Sequence, residues 1–134
     1  MVSPPNIETP VSSVTLVQGN ILHWVYHEGV EVSLAIAEEE VSLIEPFHEA
    51  HVGGPTRLLI DIRAVRSMDR AACKLFASDR IHDDYQVIAL GLVTNSSASA
   101  AVIGNFFMKV FGPKHPVRLF KTEDEALNWL NLFV

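Results

Sequence analysis

Apolar and polar positions follow a strand-like period of two over the first part of the chain and a helical period over residues 37–51, after which strand-like and helical segments alternate. Val14, Leu16 and Gln18 alternate with Thr15 and Val17, and a second run, 21–27, puts Trp24 and Tyr26 on one face and His23, Val25 and His27 on the other. The Gly19-Asn20 pair between the two runs predicts a β-hairpin. Glu28-Gly29 marks a further turn before a brief strand over 30–34. Over 37–51, Val41, Ile44, Phe47 and His48 recur at helical spacing. Glu38–Glu40 then fall in the first turn, where the helix dipole favours acids. Pro46 predicts a kink, and Gly53-Gly54-Pro55 ends the helix.

Two segments, RLLIDI over 57–62 and VIALGLV over 87–93, are near-continuous apolar runs, as expected of strands buried on both faces of a parallel sheet. Between them a helix is predicted over 69–80, with Cys73, Phe76 and Ala77 facing inward and Asp69 as its N-cap. A second long helix over 97–111 carries Val102, Ile103, Phe106, Phe107, Val110 and Phe111 as a wide apolar stripe and stops at Gly112-Pro113. A last strand over 117–120 leads into Thr122-Glu123-Asp124-Glu125, a capping box that opens an amphipathic terminal helix. The order predicts an α/β fold: a mixed, mostly parallel sheet of about five strands with about four helices and right-handed crossovers. Residues 1–12, with Pro4, Pro5 and Pro10, read as a loose tail before a single domain over 13–134.

At 134 residues, with 49% apolar and 19% charged content, the chain is sized for one domain with a core of its own. The net charge of −6 argues against a nucleic-acid partner. No apolar run reaches the ~18 residues that span a bilayer, so no membrane role is expected. The first residues lack the basic and apolar regions of a secretory signal, and Cys73 stands alone. A cytoplasmic location is expected.

The segment LIDIRAVRSMDRAACKLF, residues 59–76, carries Asp61, Val65, Met68 and Asp69 at a distinctive spacing. It resembles the switch region of STAS domains, the anti-sigma-factor antagonist (SpoIIAA-like) family. There a strand ending in Asp-Leu/Ile is followed by a spaced Val and then by Met/Ile-Asp-Ser-Ser/Thr-Gly opening a helix. The order of elements agrees from about residue 13 to the end. The resemblance implies a STAS-like fold and a regulatory role through protein contacts. In the family, the phosphorylated Ser or Thr stands two residues after the Asp and is followed by Gly. Here those places are held by Ala71 and Ala72, after Arg70. Alanine has no hydroxyl, so the phosphoryl switch is lost at that place. Ser67 precedes Asp69 and does not inherit the role.

Four of the ten basic residues, Arg63, Arg66, Arg70 and Lys74, crowd this loop and helix start, opposed within the interval only by Asp69. Such a cluster is either a solvated face or a docking surface for an acidic partner. The docking surface expected here comprises Arg66, Ser67, Asp69, Arg70, Ala71 and Lys74. The partner would be a protein, a regulator or kinase-like, with a homodimer as an open alternative. Phe106, Phe107 and Phe111 form either an interface or, with Trp24 or Tyr26, the wall of an apolar pocket. That pocket would make the chain a binder or sensor of small hydrophobic ligands instead. His48 and His51, with Glu45 and Glu49, have helical spacing compatible with zinc, but the signal is weak and an exposed helix end, where the dipole favours histidine, is the preferred explanation; no metal or cofactor is expected. GxSxG, GxxxxGK[ST] and GxGxxG are all absent and no acid–base pair stands out, so the expected function is non-enzymatic.

Overall fold

The structure is a computed structural model that describes residues 4–133; the side chain of Phe111 lies outside the described set. Its strands are β1 (Asn6–Glu8), β2 (Ser12–Val17), β3 (Ile21–Tyr26), β4 (Glu31–Val32), β5 (Thr56–Asp61), β6 (Ser67–Met68), β7 (Val87–Val93) and β8 (Val117–Phe120). The helices are α1 (Leu34–His51), α2 (Arg70–Phe76), α3 (Asp79–Tyr85), α4 (Ala98–Phe111) and α5 (Glu123–Leu130). Six strands form one sheet in the order β1-β2-β3-β5-β7-β8. β1, β2 and β3 are antiparallel neighbours, and β3, β5, β7 and β8 run parallel. This is the expected mixed, mostly parallel α/β sheet.

The hairpin turns where the sequence places it. Gln18 and Gly19 both take positive φ, 48° and 85°, so the tight reversal has a glycine where a side chain would be strained. β5 and β7 lie between strands on either side, and nearly every residue of both is buried. Helices α1–α4 cover one face, over Leu22, Trp24, Tyr26, Leu58, Ile60, Leu90 and Leu92. The other face is covered by α5, whose Ala126 and Leu130 pack on Ile21, Leu59, Ala89 and Val93. Gly91 permits this close contact: a Cβ there would sit 3.5 Å from the Cβ of Ala126.

Arg57 ties this second layer down. It is 6% exposed, and its guanidinium donates to Asn20 Oδ1 (2.8 Å), to the Leu130 carbonyl at the end of α5 (2.9 Å) and to the Gln18 carbonyl (3.4 Å). Arg57→Ala leaves these acceptors without their cation. It is expected to lower stability by roughly 2 kcal/mol, seen as a reduced urea midpoint.

Three expectations are corrected. Residues 6–8 are not loose tail: Asn6, Ile7 and Glu8 pair with Thr15, Val14 and Ser13, and Ile7 packs on the core. The prolines flank that strand and leave its amides free to pair. The helix over 69–80 is two helices, because Ser78 takes extended dihedrals (φ −75°, ψ 158°) as the N-cap of α3 and its hydroxyl donates to the Leu75 carbonyl (2.6 Å). Five helices result among the described residues in place of about four. Finally, α1 starts at Leu34, capped by Ser33 accepting from the Ile36 amide, so Glu38–Glu40 lie beyond the first turn. α1 continues through Pro46 to His51.

Candidate functional site

β4 and β6 form a two-residue parallel ladder, Glu31 beside Ser67 and Val32 beside Met68. It fixes the loop between β5 and α2. The Arg66 amide donates to the Val30 carbonyl (2.8 Å), the Asp69 amide to the Val32 carbonyl (2.9 Å), and Ser99 Oγ to the Arg66 carbonyl (2.7 Å). The last bond brings the first turn of α4 beside the start of α2. Asp69 occupies the N-cap position of α2, but its side chain makes no capping hydrogen bond, so it does not act as the cap expected of it. Its carboxylate is exposed at the surface instead.

Between α2 and α4 the surface opens into a groove of about 410 Å³, floored by Met68, Cys73, Val102, Ile103 and Phe106, with Arg70 and Lys109 on its rim. A second hollow of about 280 Å³ shares Met68, Val102 and Ile103 and extends it toward Ser67 and Ser99. Val102 is 70% exposed, whereas Phe107 is 2% exposed and belongs to the core. Helical spacing explains the division: Ala100, Ile103 and Phe107 lie on one stripe against the sheet, and Val102, Phe106 and Lys109 on the adjoining one. Phe107 is therefore a core residue and not an interface residue, while Phe106, half-buried, lines the groove. Trp24 and Tyr26 are also core: Trp24 meets Phe76 edge-on at 5.5 Å, so these rings fill the interior instead of walling a cavity.

The basic cluster divides. Arg63 points to the carboxyl end of β5, where Nη2 lies 2.6 Å from Asp61 Oδ2 and 3.1 Å from Glu123 Oε1. Those bonds hold the Asp61 carboxyl below its ordinary range against the opposing effect of burial. Arg66 faces Glu31 at 3.9 Å, both exposed, a pair worth little in water. Among the described residues no carboxylate lies within ion-pair distance of Arg70, Lys74 or Lys109. Ala71 is exposed beside them. Of the predicted residues, Arg70 lines the groove and Ser67 its extension, while Arg66, Asp69, Ala71 and Lys74 are exposed on the adjoining loop and on α2; the groove adds Lys109, which the sequence did not single out.

The histidines have structural partners. His48 is 2% exposed, its Nε2 is 2.6 Å from Thr56 Oγ1 and 3.2 Å from the Gly54 carbonyl, and its ring stacks on Tyr85. His51 packs on Phe47. No group of three or more His, Cys, Asp or Glu side chains suited to a metal occurs among the described residues. His23 pairs with Glu123 across the α5 face. Burial, with the nearby Asp69 carboxylate, pushes the Cys73 thiol up to about 11, which keeps it largely protonated at neutral pH and makes it a slow nucleophile. Asn95 and Ser97 cap α4: Asn95 Oδ1 accepts from the Ser97 amide, and Ser97 Oγ from the Ala100 amide. No helix among the described residues is long and apolar enough to cross a membrane.

One residue of consequence escaped the sequence reading. Glu40 is fully buried, and its carboxylate accepts from Ser12 Oγ (2.7 Å), Trp24 Nε1 (3.0 Å) and the Tyr26 hydroxyl (3.0 Å). Burial raises its pKa from the usual 4.5 to about 7, against the pull of the three donors. The signal was present: Glu40 stands three residues after Ala37 and four before Ile44, on the buried stripe of α1.

A family model for a domain of unknown function (DUF7793) matches residues 15–134. No curated protein matches the sequence. Among solved structures, the chain is similar to an uncharacterised DUF3478-family protein with a SpoIIAA-like fold from Shewanella loihica PV-4, with a TM-score of 0.63 at 14% identity, covering 97% of this chain and 98% of that one. It is also similar to the anti-sigma factor antagonist SpoIIAA in its unphosphorylated form, with a TM-score of 0.62 at 16% identity, covering 92% of this chain and 98% of that one. At these identities the likeness is one of fold. The chain belongs to the DUF7793 family, and its architecture is SpoIIAA-like.

Proposed function

We propose that this protein is a non-enzymatic regulatory module of the cytoplasm that docks a protein partner in the groove between α2 and α4. The observation that carries the reading is an open apolar groove with Arg70 and Lys109 on its rim, neither paired with a carboxylate among the described residues, on a chain of net charge −6. An apolar floor with a cationic rim fits a protein segment that presents apolar side chains flanked by carboxylates. Exposed Ala71, with Ser67 and Asp69 beside it, leaves room for a partner backbone at the start of α2. The fold has a regulatory precedent in the anti-sigma factor antagonist. A regulator or kinase-like protein is the kind of partner this precedent suggests. Because Ala71 offers no hydroxyl, docking here is not set by phosphorylation at that position.

The test compares capture by the tagged protein with capture by Val102→Asp, by the double variant Arg70→Glu/Lys109→Glu, and by Leu132→Asp, whose site is 74% exposed and lies beyond α5. A partner held by the parent and by Leu132→Asp and released by both groove variants is the expected outcome. Retention by the groove variants overturns the reading.

A second reading keeps the groove and changes its occupant. A volume of about 410 Å³ falls within the range of small-molecule pockets. Native mass spectrometry separates the two: a bound small mass that Val102→Trp displaces would favour the ligand.

A further inference from the structure

Behind the groove the fold buries an acid, Glu40, that has no cation within ion-pair distance among the described residues. We propose that Glu40 is a proton-operated latch, whose gain or loss of a proton tightens or loosens the packing of α2 beneath the docking groove. The inference rests on the docking reading only for its purpose; the latch itself is a property of the core.

The geometry has three parts. First, the three groups bonded to Glu40 are neutral. β2 offers Ser12, and β3 offers the Trp24 indole and the Tyr26 hydroxyl. α2 carries Cys73, and α3 brings Tyr85, whose hydroxyl donates to the Val41 carbonyl next to Glu40 (3.5 Å). Burial raises the pKa of both tyrosines and of Cys73, so none of them charges near neutral pH. His48, two turns along α1, is held by Thr56 and Gly54, and Glu8 on β1 is exposed. Second, the site accommodates both states. Ionised, the carboxylate accepts all three bonds. Protonated, it keeps Ser12 and Trp24 on Oε2 and donates from Oε1 to the Tyr26 oxygen, whose hydroxyl hydrogen swings aside; the proton comes from water. Third, a β3 ring reaches α2. Trp24 meets Phe76 edge-on at 5.5 Å, one helical turn along α2 from Cys73, which lines the groove.

A buried charge without a counter-ion is relieved by admitting water. The ionised state therefore loosens the α1–α2 layer and the neutral state closes it. Glu40 titrates near pH 7, so both states are populated around neutrality.

The experiment uses the tryptophan that touches the acid. In a Trp129→Phe background, Trp24 emission is followed from pH 5 to 8.5. A single step centred near 7 is expected, absent in Glu40→Gln. Glutamine keeps the bonds, its oxygen accepting from Ser12 and Trp24 and its amide donating to Tyr26, but it does not titrate. Tyr26→Phe removes one donor to the ionised form and is expected to move the midpoint upward. The link to α2 is read at pH 8 from the rate of Cys73 alkylation, expected to be severalfold faster in the parent than in Glu40→Gln. Simple electrostatics predicts the reverse, since a nearby carboxylate disfavours the thiolate. No step, or a step that persists in Glu40→Gln, overturns the latch; equal alkylation rates overturn its coupling to α2. None of these readouts uses a partner, so failure of docking leaves the latch standing and failure of the latch leaves docking standing.

Discussion

Phe107→Glu is expected to abolish folding, whereas Val102→Glu on the same helix leaves the fold intact. The difference lies in which stripe of α4 each residue occupies. Phe107 is 2% exposed and packs in the core with Ala100 and Ile103; Val102 is 70% exposed over the groove. Removing a buried phenylalanine costs about 3–5 kcal/mol, and placing an unpaired carboxylate in the space adds to that. The sum reaches the whole stability of an ordinary domain, about 5–15 kcal/mol. A substitution at exposed Val102 changes stability by no more than about 0.5 kcal/mol. Circular dichroism with urea titration checks both. A Phe107→Glu protein with a near-parental midpoint would contradict the assignment of α4's faces. The contrast also makes Val102 the right place to disturb the groove without disturbing the core.

The contribution of Glu40 to stability is expected to fall as pH rises from 5 to 8. Its folded pKa of about 7 lies above the usual 4.5. Between those values the folded chain retains a proton that the unfolded chain has already released. The contribution is therefore complete below about pH 4.5 and is lost as pH rises through about 7. At 1.4 kcal/mol per pH unit, the loss amounts to roughly 3 kcal/mol. Asp61 acts in the opposite sense: its lowered pKa adds stability that is lost only in more acid solution, outside this window. Subtracting the urea midpoints of Glu40→Gln from those of the parent at each pH isolates the Glu40 contribution. Parallel profiles for the two proteins would show that this carboxyl does not hold its proton on folding.

The α/β architecture was legible because its signals are local. Unbroken apolar runs marked β5 and β7, a Gly-Asn pair marked the hairpin, and a capping box marked α5. Thr122 Oγ1 does accept from the Glu125 amide at 3.3 Å. What stayed hidden depends on tertiary contact. β1 has three residues between prolines and becomes a strand only because β2 offers it an edge. The break between α2 and α3 follows from one hydroxyl, Ser78, choosing the Leu75 carbonyl. The candidate site was half visible. Arg66, Arg70 and Lys74 stood out as a charge cluster, but Arg63 belonged to a different surface and Lys109, remote in sequence, completed the rim. Glu40 was masked by Glu38 and Glu39. A run of three acids reads as solvated surface, and only the helical phase relative to Ala37 and Ile44 separates the buried one from its exposed neighbours.

Docking through the α2–α4 groove is tested most directly by a photo-reactive benzoylphenylalanine placed at position 102 and, separately, at position 132, with irradiation after the captured partner is bound. Cross-linking from 102 to an acidic, apolar-bearing segment of that partner, with none from 132, is the predicted result. A partner that cross-links from 132 and never from 102 would place docking on the α5 face and contradict the account.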